Sequence, residues 1–144
     1  MKQILPCLVI FAMAASCKST KPVVTTNPNL TNTYWKLIEL HGQPVNSPEG
    51  AKPYYIKLDA SENRFSGWAG CNQMVGTFSN PDGFRVSFGK VASTRMACPD
   101  MTLETQLAEV LEMTDNYAIA GNSLSLNRAR MAPLARFEAI PEPR

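Results

Sequence analysis

The residues of this 144-residue chain with the chemistry to do more than fold are four cysteines, one histidine and a scatter of carboxylates. A hydrolase relay needs a histidine to carry a proton between nucleophile and leaving group. His41 stands directly before Gly42 in what reads as a turn, so a solvent-facing loop role is expected for it. Asp59 and Glu62 are close enough in sequence to form a glycosidase-type carboxylate pair. They sit at a strand end before Asn63, however, where solvated turn acids are expected instead. No glycine-rich phosphate or dinucleotide motif is present. A metal set is not expected either, since His41 lies far from every cysteine of the domain. These residues predict a protein that is not an enzyme, with no catalytic residue, no metal and no cofactor.

The cysteines carry more. Lys2 is followed by an apolar run from Ile4 to Ala15, which ends in Ala14-Ala15-Ser16-Cys17. This is the outline of a secretion signal over residues 1–16. The run falls short of the about 20 apolar residues that span a bilayer, with Pro6 inside it and Lys18-Ser19-Thr20 behind it. Small residues before a cysteine resemble a lipobox, the site where bacterial processing attaches lipid, palmitate among it, and cleaves in front. Cys17 is therefore expected to be the lipidated N-terminus, with the membrane as its partner. Ordinary signal cleavage is the alternative, because Ala14 stands where most lipoboxes carry leucine.

Residues 17–31 hold few sizeable apolar side chains and are expected to form a tether. From there to residue 140 apolar density is high, enough for one domain. Its Lys and Arg are interleaved with Asp and Glu, and the whole chain has a formal charge of +2. No basic stripe with interleaved aromatics exists, so no nucleic-acid partner is expected. Cys7 belongs to the signal, which leaves Cys71 and Cys98 in the domain. A lone pair of cysteines in an exported chain favours a disulfide, and a pair of free or redox-active thiols is the alternative.

The elements that position these residues are strands, with one helix. Tyr34 to Leu40 is aromatic and β-branched and stops at His41-Gly42. Tyr54, Ile56 and Leu58 alternate with Tyr55, Lys57 and Asp59. Arg64 to Ala69 follows, where Gly67 and Gly70 suggest a bent or closely approached strand. Thr77 to Ser79 and Phe84 to Phe88 flank Asn80-Pro81-Asp82-Gly83 as a hairpin. Tyr117 to Ala120 and Ser123 to Leu126 flank Gly121-Asn122 as a second, and Leu134 to Ala139 is the last strand. Between Cys98 and Asn116, Leu103, Leu107, Val110, Leu111 and Thr114 share a helical face, while Glu104, Gln106, Glu109 and Glu112 fall away from it. Asp100 or Thr102 is placed to cap this helix.

Three segments together resemble one family. They are Trp35-Lys36-Leu37, then Phe65-Ser66-Gly67-Trp68-Ala69-Gly70-Cys71-Asn72-Gln73-Met74-Val75-Gly76-Thr77-Phe78, then Ser93-Thr94-Arg95-Met96-Ala97-Cys98-Pro99 ahead of a Glu-containing helix. In that order they resemble the META domain, also called the HslJ-like family, over about Asn32 to Ala139. The resemblance implies a mostly β (α+β) fold: a small, partly open antiparallel β-barrel with one amphipathic helix packed on it. It implies a paired cysteine that maps onto Cys71 and Cys98. Members are often exported lipoproteins or envelope proteins linked to stress tolerance, motility or secretion, and no catalytic residues are established for them.

The expected function is thus a non-catalytic envelope module, anchored in the membrane, with the outer membrane as the expected site. It would receive an apolar ligand or an envelope protein in its barrel or at its edge. A purely structural stress factor without a specific ligand is the alternative. The aromatics Trp35, Phe65, Trp68, Phe78, Phe84 and Phe88 decide between them, since they either fill the barrel or line a pocket.

Overall fold

Tyr34–Leu40 forms β1, and its alternation turns Trp35 and Leu37 inward. A bulge between Leu37 and Glu39 shifts the register by one, so that Leu40 rather than Glu39 continues the buried face. This computed structural model describes residues 28–143. Cys17, the signal over 1–16 and most of the tether lie outside the described residues.

β1 pairs with β10 (Ala135–Ile140) on one side and with β3 (Tyr55–Asp59) on the other. The two-residue strand β2 (Gln43–Pro44) folds back on β1 through His41 and Gly42. Both have positive φ, 50° and 75°, as a type I′ turn requires. β3, β4 (Arg64–Trp68) and β5 (Gln73–Ser79) form an antiparallel meander. Gly76 faces Phe65 across the β4–β5 ladder, and a Cβ there would come within 2.5 Å of the Phe65 ring. The ring lies over the glycine and meets Phe88 edge-on, with centroids 5.3 Å apart.

Beyond β5 the chain runs back along it in two short pieces, β6 (Ser87–Phe88) and β7 (Ala92–Ser93). Helix α1 (Thr102–Met113) follows, then the hairpin of β8 (Asn116–Ala120) and β9 (Ser123–Asn127). β9 pairs with β10, giving the order β6-β5-β4-β3-β1-β10-β9-β8. The two ends of this sheet meet only at a short seam. Tyr117 donates its N–H to the Phe84 carbonyl (3.0 Å), and Val86 donates to the Asp115 carbonyl (3.3 Å). Along the remaining edge a helix stands in for a strand: Glu112 accepts the Val91 N–H (3.1 Å) and pairs with Lys90 (2.9 Å). A carboxylate on an edge N–H removes the donor that another chain would pair with. Among the described residues the molecule is mostly antiparallel β, a nearly closed barrel with one unsealed seam and a single helix packed on it.

The interior is filled by its own side chains. Trp35, Leu37, Ile56, Leu58, Met74, Leu124 and Phe137 have no exposed surface, and Phe65 has 1%. Each such residue contributes about 1.5–3 kcal/mol by leaving water. Trp35 also satisfies its indole N–H on the Leu30 carbonyl at 2.9 Å. Phe78 and Phe88 join this core, whereas Trp68 is only half-buried on the outer wall and Phe84 is exposed.

Three expectations need correction. The hairpin after Ser79 has a longer loop than the Asn80 to Gly83 turn, since ladder pairing with β5 starts only at Ser87. The Asp82 carboxylate accepts the Arg85 N–H (2.8 Å) and turns Phe84 to Val86 toward β8 instead. Glu104 does not fall away from the apolar face of α1 but is buried in it with Leu107, Val110 and Leu111. Neither predicted residue occupies the cap position, which is Met101; Thr102 is the first helical residue and gives its N–H to Asp100 at 2.8 Å.

Candidate functional site at the disulfide corner

Where β4 ends, Gly70 takes a φ of 117° and the chain turns through Cys71 and Asn72 into β5. Cys71 is bonded to Cys98, with their Cα atoms 6.3 Å apart and a sequence separation of 27. Both sequence-predicted cysteines thus come together as a disulfide, and neither is a free thiol. The bond fastens the β4–β5 turn to the segment leading into α1.

Asn72, between that disulfide and the helix, is fully buried. Its backbone N–H donates to the Glu104 carboxylate (3.1 Å), and its side-chain amide donates to the Cys98 sulfur (3.4 Å). Its side-chain oxygen accepts from the Thr94 hydroxyl (3.0 Å) and from the Met96 N–H (2.9 Å). Thr94 in turn accepts the Gln73 N–H (3.1 Å) and donates its own N–H to the Gln73 carbonyl (3.1 Å). One buried residue therefore ties three stretches: its side chain joins the β4–β5 turn to the loop after β7, and its backbone N–H joins that turn to the first turn of α1. Leaving such groups unpaired in a buried site costs about 1–3 kcal/mol each.

Glu104 and Thr94 were missed as members of this corner by sequence reasoning. Glu104 sits one turn ahead of Leu107 on the apolar stripe, which was the available signal for its burial. The remaining candidates stay apart from it. His41 is exposed in its turn and gives its N–H to the Leu134 carbonyl (2.8 Å). Asp59 accepts the hydroxyl and N–H of Ser61 at 2.6 and 2.8 Å, which hold its carboxyl below the usual carboxylate range. That is a turn-closing role.

Among the described residues, no three His, Cys, Asp or Glu side chains gather in a way that would hold a metal. In the corner, the sulfurs are bonded to each other and the Asn72 amide is occupied at both its oxygen and its nitrogen. The arrangement fastens elements together.

The family model for the META domain matches residues 28–140, which includes both cysteines, Asn72 and the helix. The chain belongs to the META domain family. No curated protein matches it in sequence. Two solved structures share this fold. The first is the NMR structure of a protein from Burkholderia xenovorans, 23% identical, with a TM-score of 0.63, covering 92% of this chain and 97% of that one. The second is another NMR structure, also 23% identical, with a TM-score of 0.57 and coverage of 76% and 90%. At these identities the likeness is one of fold.

Proposed function

We propose that this META domain is a non-catalytic module of the cell envelope, held at the outer membrane by lipid on Cys17, which works through its outer wall. The filled interior supports the outer-wall part of this reading and, equally, its alternative of a structural stress factor without a specific ligand: Trp35, Phe65, Leu37, Met74 and Phe137 occupy the space that a lipid or peptide would need. A barrel that encloses ligand leaves such positions lining a cavity. On the same proposal a signal over 1–16 and a lipidated tether over 17–31 stand ahead of the barrel.

Intact-mass analysis of the protein taken from its own membrane tests the anchor. The expected mature chain starts at Cys17 and carries acyl chains. A start at Lys18 or later overturns the anchor, as does a Cys17→Ser protein that stays membrane-bound. Native mass spectrometry of the same sample tests the barrel. A stoichiometric apolar small molecule retained inside it would overturn the outer-wall reading.

A further inference from the structure

Two segments beside the seam present exposed side chains from tightly held backbone. In the first, the Phe84 carbonyl accepts the Tyr117 N–H, the Arg85 N–H is held by Asp82, and the Arg85 carbonyl accepts the Asn80 amide (2.9 Å). Phe84 nevertheless stands 56% exposed, with the Arg85 guanidinium 5.6 Å above its ring.

In the second, Ala129 has a φ of 51°. A residue with a Cβ pays for that conformation and keeps it only where its surroundings enforce it. Here they do. Both Asp115 carboxylate oxygens accept the Ala129 N–H (2.8 and 3.0 Å), and Asn116 donates its amide to the Ala129 carbonyl (2.9 Å). Arg128, Arg130 and Met131 flank this clamp, all exposed. Phe84, Arg85 and Arg130 line one open cleft with Tyr117, and Arg128 reaches the Met113 sulfur at 3.8 Å.

Of the neighbouring acids, Asp82 pairs with Arg85 and Glu112 with Lys90, whereas Asp115, bonded to the neutral Ala129 N–H, keeps its charge and lines the cleft with Arg130. Among the described residues Arg128 and Arg130 form no ion pair. With Asp82 and Asp115 set against Arg85, Arg128 and Arg130, the face keeps a net positive charge beside protruding unbranched and aromatic apolar side chains. A bilayer interface accepts that combination, with apolar tips below the headgroups and guanidinium groups on phosphate.

We propose that Phe84, Arg85, Arg128, Arg130 and Met131 form a contact face that seats the barrel on a bilayer of anionic phospholipid. The reach is sufficient. Eleven steps along the chain lead from Cys17 to Pro28, up to about 36–40 Å when extended, against a radius of gyration of about 13 Å for a domain of this size. That step alone rests on the lipid at Cys17; the face does not.

The methionines supply the test, because their oxidation by the charged oxidant chloramine-T reports exposure site by site. Met131 (65% exposed) belongs to the face, and Met96 (59% exposed), ahead of α1, is a matched internal control. The full chain purified from its own membrane is bound to vesicles of phosphatidylcholine, alone or mixed equally with phosphatidylglycerol. Its mass is read first, so that failure of the anchor is scored separately from failure of the face. With phosphatidylglycerol, Met131 is expected to oxidise several-fold more slowly while Met96 is unchanged. The double variant Arg128→Gln, Arg130→Gln is expected to lose that protection, each arginine being worth about fivefold in vesicle affinity, or about 1 kcal/mol. Equal Met131 rates on both vesicles overturn the proposal. So does protection seen only in native membranes, which would mark a protein partner, or protection that grows with protein concentration without vesicles, which would mark a second copy of the chain.

Discussion

The disulfide corner and the seam-side face are built from the same device, a polar side chain bonded to backbone, turned to opposite ends. Asn72 spends its bonds inward, joining three segments around a side chain with no exposed surface. Asp82, Asp115 and Asn116 hold exposed backbone so that other side chains stand in solvent. The difference teaches where to look for each kind of consequence. Changes at the corner should be read in stability, and changes on the face in contacts with something outside the molecule.

The largest effect that would break this contrast is at the disulfide. Closing a loop of 27 residues removes about 3.5 kcal/mol of unfolded-state freedom in the chain-entropy model. Cys71→Ser with Cys98→Ser, or reduction, is expected to lower Tm by about 10–15 °C for a domain of this size, measured by calorimetry. An unchanged Tm would show that the corner does not hold the helix to the sheet.

Asn72→Ala comes next. It removes the two bonds that the Thr94 hydroxyl and the Met96 N–H make to the buried Asn72 oxygen, donors of exposed residues that water can then reach, for an expected loss of about 1–2 kcal/mol in denaturant unfolding. Combined with the loss of the Glu104 carboxylate, as in Glu104→Ala, it is expected to cost less than the sum of the two, because Glu104 accepts the backbone N–H of the same residue. Strict additivity would mean that the helix is docked independently of the turn.

A smaller effect comes from acid. Lys90 and the Val91 N–H both bond to Glu112 and hold its carboxyl below the ordinary range, Lys90 being the larger cause. Its folded-state pKa is thus depressed. The stability it lends is complete above the unfolded value of about 4.3 and is lost as pH falls through the lower folded value. Glu112→Gln should accordingly unfold at a lower denaturant midpoint than the parent at pH 7 and converge with it only once the pH has fallen through that depressed folded value. A gap that persists in acid would show that the helix covers the strand edge by packing alone.

How much of this was legible depended on whether the cause was local. β1 and the β8–β9 hairpin follow from alternation and from Gly121, whose φ of 57° suits a tight two-residue turn. The helix, its apolar stripe and the pairing of the cysteines were legible as well. The two-residue strands β2 and β7 have no period to detect. The spacing of Glu104 from Leu107 signals its burial, but that its oxygen accepts an N–H 32 residues away is something helical periodicity cannot register. Phe84 looked like a core residue of a hairpin, and Asp82 and Tyr117 turn it to the seam instead. The clamp at Ala129 left no trace in sequence, since alanine signals no turn and its two partners are 13 and 14 residues distant.

That clamp provides the subtlest comparison. Ala129 is held at a φ of 51°, where a Cβ crowds the following carbonyl, and glycine has no such penalty. Against this, glycine has more unfolded-state freedom to lose, so the two terms partly cancel. Ala129→Gly is expected to raise stability by up to about 1 kcal/mol, measured by denaturant unfolding. The clamp from Asp115 and Asn116 would remain, but the segment between Arg128 and Arg130 would gain freedom. The variant should therefore be at least as stable as the parent and yet show weaker protection of Met131 on vesicles containing phosphatidylglycerol. Opposite movement of stability and contact in one substitution is what separates a face shaped for a partner from a loop shaped only by folding. A variant that is less stable would place Ala129 with the corner, as part of what holds the barrel together.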